Sequence, residues 1–183
     1  MSPLARPFPQ LPSISGVTLR TARARYKDWD RADLTFIEVA QGTALAGVFT
    51  QSACASSEVE LGRKQVKSGT ARALIVNAGN ANAFTGYRGR DAVEAIMAQV
   101  SEALDCAPSD VLVSSTGVIG VPLPQDKARQ GVAAALNADP CEWEEAALAI
   151  TTTDTFAKGA QTSAMIGDVR VELAGIIKGS GMI

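Results

Sequence analysis

The hydrophobic period of this chain switches repeatedly between about two residues and about 3.6, and no unit repeats along it. A regular βαβ alternation would call for an all-parallel sheet with helices on both faces. The irregular order here predicts an α/β fold of the α-β-β-α sandwich type, with mixed or antiparallel sheets flanked by helices. At 183 residues, 46% of them hydrophobic and 20% charged, the chain can bury a real core in one domain or two small lobes.

The expected elements follow from local pattern. Residues 1–15 carry Pro3, Pro7, Pro9 and Pro12 and read as an extended arm. Gly16 to Arg25 alternates loosely and reads as a strand. Asp33–Val39 and Ala44–Phe49 read as two more, joined as a hairpin through Gln41-Gly42-Thr43. Ser56 and Ser57 are N-cap candidates for a short helix ended by Gly69. Ala71–Val76 is a compact apolar run, expected as a buried strand that runs straight into the Asn-Ala-Gly-Asn-Ala-Asn-Ala loop at 77–83. Val93, Ile96, Met97, Val100 and Leu104 define the apolar face of a helix over Asp91–Leu104. Val111–Ser114 is a short strand and Gln125–Leu136 a helix. Asp139, Pro140 and Glu142 predict the start of another helix running to Ile150. Thr162–Ile177 reads as a hairpin turning at Gly167-Asp168.

Composition removes several functions. There is no histidine, so this chain alone makes no Ser-His-Asp triad, no Cys-His dyad and no histidine-ligated metal. A base for acyl transfer must then be Lys, a carboxylate, a terminal amine or a group on another chain. Cys54, Cys106 and Cys141 are far apart and form no C-x-x-C, so three buried free thiols are expected in a reducing compartment. A net charge of −2 is poor equipment for nucleic acid, which needs clustered excess Lys and Arg. No apolar stretch reaches membrane-spanning length and no secretory h-region opens the chain, so a cytoplasmic location is expected.

Four segments can carry chemistry. Asn77–Ala83 holds three Asn and one Gly; by itself it reads first as a polar turn network, and it is no phosphate loop. Ser114–Gly120 puts three hydroxyls and two glycines at a strand end, where backbone N–H groups can converge on a developing oxyanion; taken alone, it reads first as a turn or a cap for a following element. Thr151–Thr155 is a hydroxyl cluster in which Asp154 reads as a local backbone cap. Lys178 stands at the end of an apolar strand beside Gly-Ser-Gly, where it can reach a carboxylate.

Together these segments resemble one family, the ornithine acetyltransferases (glutamate N-acetyltransferases) of arginine biosynthesis. The resemblance lies in NAGNANA at 77–83, SSTGVIG at 114–120, TTDTFAK at 152–158 and AGIIKGSGMI at 174–183, with GVFTQS at 47–52 and the Gly16 strand fitting too. Each motif is weak alone; their order and spacing, over nearly the whole chain, are specific.

The resemblance implies that residues 1–183 are the single α-chain domain of a self-cleaving precursor, completed by a separate C-terminal β chain in an α2β2 or higher assembly. It implies acetyl transfer from N²-acetylornithine to glutamate through an acetyl-threonine on that β chain. Thr116 and Gly117 would form the oxyanion hole, and Thr152 and Lys178 would bind substrate. No metal and no resident cofactor are implied, while acetyl-CoA as a donor stays open. Two rival readings remain at this point. One is a related self-processing aminopeptidase or amidohydrolase, and the other is a non-catalytic ligand-binding domain.

Overall fold

The computed structural model describes residues 5–180; the last three residues of the AGIIKGSGMI motif and Met1–Leu4 lie outside the described residues. Four strands, β1 (Val17–Ala22), β2 (Leu34–Ala44), β3 (Thr70–Asn80) and β4 (Val111–Val118), form one sheet in the order β1-β2-β3-β4. β1–β2 and β2–β3 pair antiparallel, and β3–β4 pair parallel. Parallel neighbours need a long crossover, and the helix α2 (Gly86–Leu104) supplies it. A second sheet holds only the hairpin β5 (Lys158–Ile166) and β6 (Val169–Ile177). The expected mixed α/β class is observed.

Side-chain alternation decides which face of the four-stranded sheet is dry. Leu34, Phe36, Ala73, Ile75, Val111 and Val113 point to one side and meet Val93, Ile96 and Val100 of α2 with Ala128, Val132 and Ala135 of α3 (Gln125–Leu136). Phe36, Leu34 and Ile75 are fully buried, each contributing about 1.5–3 kcal/mol of apolar burial. On the other side α4 (Trp143–Ala149) lies against β2, where the Thr35 hydroxyl donates to the Ala146 carbonyl at 3.0 Å. The arm reaches the same region, since the Trp143 indole donates to the Pro12 carbonyl at 2.9 Å.

Several expectations need correction. Ala44–Phe49 is not a separate strand, and there is no hairpin at Gln41–Thr43. β2 runs on to Ala44 along β3, with a register shift between Glu38 and Thr43. Gly42 alone takes positive φ there, which makes an irregularity in one strand rather than a two-residue primed turn. Asp139 and Pro140 do not open the last helix; Glu142 stands at its N-cap position without a side-chain capping bond, and the segment before it is held by the Cys141 N–H donating to the Leu19 carbonyl at 2.8 Å. Asn77–Asn80 is strand, not loop, and α2 begins five residues before Asp91. The cysteines are not buried: Cys54 is exposed, and Cys106 and Cys141 are half-buried. The short helix α1 (Ser57–Gln65), continued by a 3-10 turn over Val66–Ser68 that stops at Gly69, and the Gly167-Asp168 turn are as expected.

Gly131 lies in the interior of α3, where a Cβ would sit 2.4 Å from the Cβ of Ala24. Gly→Ala inside a helix ordinarily stabilises by about 0.5–1 kcal/mol. Here Gly131→Ala is expected to destabilise instead, by about 1–3 kcal/mol, because the added methyl overpacks the contact. Urea unfolding of the two proteins reads the sign directly.

Candidate functional site

The parallel pairing of β3 and β4 sets the stage. Asn77 to Gly79 of β3 run beside Ser115 to Gly117 of β4, so two motifs far apart in sequence share one end of the sheet. Gly117 has φ +136°, and a Cβ there would sit 2.4 Å from the Gly79 carbonyl carbon and 2.6 Å from the Asn80 nitrogen. Only glycine fits, since neither backbone atom can move without opening the sheet. β4 is also the outer strand of this sheet, and an edge strand leaves alternate backbone groups free of ladder partners.

A buried polar network holds this pair of strands from behind. Glu58 of α1 is 4% exposed and accepts hydrogen bonds from the Ser115 hydroxyl and, at 3.0 Å, from the Asn82 amide. Ser115 also lies 2.6 Å from the Asn77 amide oxygen. Asn77 donates to the Asn80 carbonyl, and Asn80 to the Val121 carbonyl. The Asn-rich segment therefore makes the polar network that its bland reading foresaw, and it braces the residue just before Thr116.

Lys178 closes the site from the far end of the chain. Its ammonium donates to the Thr116 hydroxyl at 3.0 Å and to the Thr152 hydroxyl at 2.8 Å. Three of the four expected site residues thus meet at one cation, and the fourth, Gly117, is the next residue along β4. An ammonium has three donors, so one remains for a ligand. Each threonine accepts from Lys178 and keeps its own hydroxyl proton, so each can still donate to a negatively charged oxygen. The residues line a cleft of about 560 Å³, to which Trp29 and Gly79 also contribute.

Asp154 is the residue that sequence reasoning undervalued. It does cap local backbone, as expected, but what it caps is the site. One carboxylate oxygen accepts the Gly179 N–H at 2.6 Å and the Lys158 ammonium at 2.7 Å, and the other accepts the Thr152 N–H at 3.2 Å. Its side chain is fully buried. Burial alone would raise its pKa, but the hydrogen bonds from Lys158, Gly179 and Thr152 outweigh that and hold it at about 2, against an ordinary 3.8. The available signal was its position, two residues after Thr152 in a hydroxyl cluster; the 25-residue reach to Gly179 carried none.

A sequence model described as the ArgJ family matches residues 18–183. The chain belongs to the ArgJ family. It is 54% identical over 184 residues to the arginine biosynthesis bifunctional protein ArgJ of Zymomonas mobilis subsp. mobilis, covering 100% of this chain and 45% of that protein. The ArgJ protein of Gluconobacter oxydans is 45% identical over 184 residues, covering 100% of this chain and 43% of that protein. The chain thus spans less than half the length of these ArgJ relatives. The crystal structure of the ArgJ protein of Bacillus halodurans superposes with a TM-score of 0.84 at 30% identity, covering 92% of this chain and 89% of that one. Ornithine acetyltransferase of Mycobacterium tuberculosis, complexed with ornithine, superposes at 0.80 with 31% identity, covering 92% and 91%.

Asp154 generates a stability prediction with a defined sign. Its folded pKa lies below its unfolded value, so its stabilising contribution is complete above about pH 4 and is lost as pH falls towards 2. Asp154→Ala should cost on the order of 3 kcal/mol at neutral pH, because Lys158 loses its buried partner. The variant should also lose less stability than the parent between pH 4 and 2, measured by denaturant unfolding across that range.

Proposed function

We propose that this chain is the α chain of a self-processed glutamate N-acetyltransferase that moves an acetyl group from N²-acetylornithine to glutamate. The observation that carries the reading is the Lys178 ammonium bonded to both Thr116 and Thr152 beside the glycine-only position 117. Preorganised donors grouped around one cation suit a tetrahedral oxyanion. The reading also rests on the family membership and on the ornithine-bound relative.

The nucleophile in this reading is the N-terminal threonine of a second, β chain. Its hydroxyl oxygen attacks the acetyl carbonyl carbon, and its own α-amine takes the hydroxyl proton. An α-amine has an ordinary pKa near 7.7–8.0, so a working fraction is neutral at physiological pH. Thr116 and Gly117 donate to the oxyanion that forms. The C–N bond then breaks, the departing ornithine amine takes a proton, and an acetyl-threonine remains. The glutamate α-amine attacks that ester and restores the free hydroxyl. Lys178 and Thr152 hold the substrate carboxylate next to the reacting nitrogen. No metal or resident cofactor takes part.

Two observations support a second chain. This chain covers 45% of the Zymomonas relative but 89% of the Bacillus structural chain, the relation expected if the longer polypeptide is divided near its middle. The β5–β6 hairpin also exposes one apolar face. Ile166, Val169, Leu173 and Ile177 are 69%, 65%, 50% and 67% exposed, and exposed apolar area of this kind marks an interaction surface. An α2β2 or larger assembly acting in the cytoplasm completes the proposal.

The test uses the full-length gene product. The expected result is a precursor that separates into two chains, the second beginning with threonine, and transfers acetyl from N²-acetylornithine only when glutamate is present. Transfer to water without glutamate would overturn the acceptor and favour a hydrolase. Acetyl-CoA offered in place of acetylornithine reads the second donor, a question raised by the relatives' bifunctional name. Thr116→Ala is expected to lower kcat by at least about 100-fold, the loss typical of a missing oxyanion donor. Precursor cleavage, which passes through a similar oxyanion, should slow in parallel on gels.

A further inference from the structure

The loop between β1 and β2 builds one wall of the cleft through Lys27 and Trp29. Asp33, at 1% exposure, accepts the backbone N–H groups of Ala24 at 2.6 Å and Tyr26 at 2.8 Å. Arg31 stacks over the Trp29 ring at 4.1 Å and donates to the Thr151 and Leu148 carbonyls at 2.7 and 3.1 Å. The loop is therefore tied to the sheet at one end and to the Thr151–Thr152 segment at the other. Its product is the placement of Lys27. The lysine stem lies over Gly79, with its Cγ 3.0 Å from where a Cβ would be, and its side chain lines the same cleft as Thr116 and Lys178.

Two cations thus share one cleft, and no carboxylate lines it among the described residues. Asp154 lies behind the wall, paired with Lys158. Lys27 itself makes no ion pair among the described residues. A half-buried lysine held on a braced loop without a salt bridge is poised for an anion from outside the protein.

We propose that Lys27 is a specificity-determining residue that receives the side-chain carboxylate of the acceptor, glutamate. This rests on the acetyl-transfer reading and deepens it. The reacting nitrogen of both substrates sits on the carbon that bears the α-carboxylate. Lys178, bonded to Thr116, is the cation next to the reacting centre and takes that common carboxylate. Lys27 then faces the distal end, where the substrates differ in sign. Glutamate ends in a carboxylate, whereas N²-acetylornithine ends in an ammonium. Lys27 attracts the first and repels the second, so it favours acceptor binding and helps expel ornithine once its acetyl group has been transferred.

The experiment compares the processed two-chain enzyme with Lys27→Gln and Lys27→Arg. Lys27→Gln is expected to raise KM for glutamate at least about tenfold, the worth of a charge-assisted contact, while KM for N²-acetylornithine stays level or falls. Lys27→Arg should recover most of the glutamate affinity. A purely structural role would move both constants together, and that outcome, or an unchanged glutamate KM, overturns the proposal. The parent enzyme gives a second reading without any variant: glutamine, which lacks the distal charge, should be at least about tenfold poorer as acceptor, and comparable use of glutamine and glutamate also overturns it. Absence of any acetyl transfer by the parent enzyme would instead overturn the function proposed above. Lys27 is then still decided by calorimetry, with glutarate expected to bind the parent more tightly than its monoamide and Lys27→Gln expected to lose that preference; equal binding of the two by the parent refutes the role of Lys27.

Discussion

The contact on which the site depends is between two backbones. Gly117 of β4 approaches Gly79 and Asn80 of β3 so closely that a single methyl group cannot enter. That approach brings Thr116 beside the end of β3, and it leaves Gly117 at a φ of +136° that residues with side chains rarely adopt. Everything else in the site is arranged around this fixed pair. The core face of the same strands, anchored by Ile75 and Val113 against α2, keeps the register from sliding. A one-residue slip would turn the apolar set to solvent, so the hydrophobic core and the site geometry are secured by the same pairing.

Charge is the second organising element. Lys178 and Lys27 line the cleft, and the carboxylates nearby are used elsewhere. Asp154 is bonded to Lys158 and to two backbone N–H groups, and Glu58 is bonded to Ser115 and Asn82. Each acid therefore stiffens a segment without cancelling a cleft cation. This division of labour leaves a cleft lined by two lysines and no carboxylate, among the described residues, within a chain whose net charge is −2. Bulk composition described the whole surface and could not reveal it.

Legibility varied with the range of the interaction. Local signals suffice where a helix or turn is decided by its own residues: the apolar face of α2, the stop at Gly69 after the turn that follows α1, and the Gly167-Asp168 turn. Errors came where pairing partners decide. β2 continues through Gln41-Gly42-Thr43 because β3 lies beside it, so a stretch that looks like a turn stays in the sheet. Asn77–Asn80 lacks the β-branched side chains of a typical strand, yet it is strand because β4 runs beside all of it and β2 beside Asn77. Asp139 and Pro140 have the residue types of a helix start, but the Cys141–Leu19 hydrogen bond holds that segment extended. The cysteines were expected inside because thiols usually are, but exposure depends on where the surface falls.

The sequence by itself determined the chemistry available: no histidine, hydroxyls and glycines at a strand end, a hydroxyl cluster after a helix, and a lysine closing an apolar strand. It also determined the family, because the order and spacing of those motifs survive without any knowledge of distance. The tertiary structure alone decided which of those groups meet. Thr116, Thr152 and Lys178 are separated by 36 and 26 residues of chain, and no local propensity encodes a hydrogen bond across such gaps. Sheet pairing and helix packing bring them within 3.0 Å of one ammonium. The same packing carried Lys27 to the cleft from the loop between β1 and β2, since a side chain's electrostatic neighbours are a property of the folded chain.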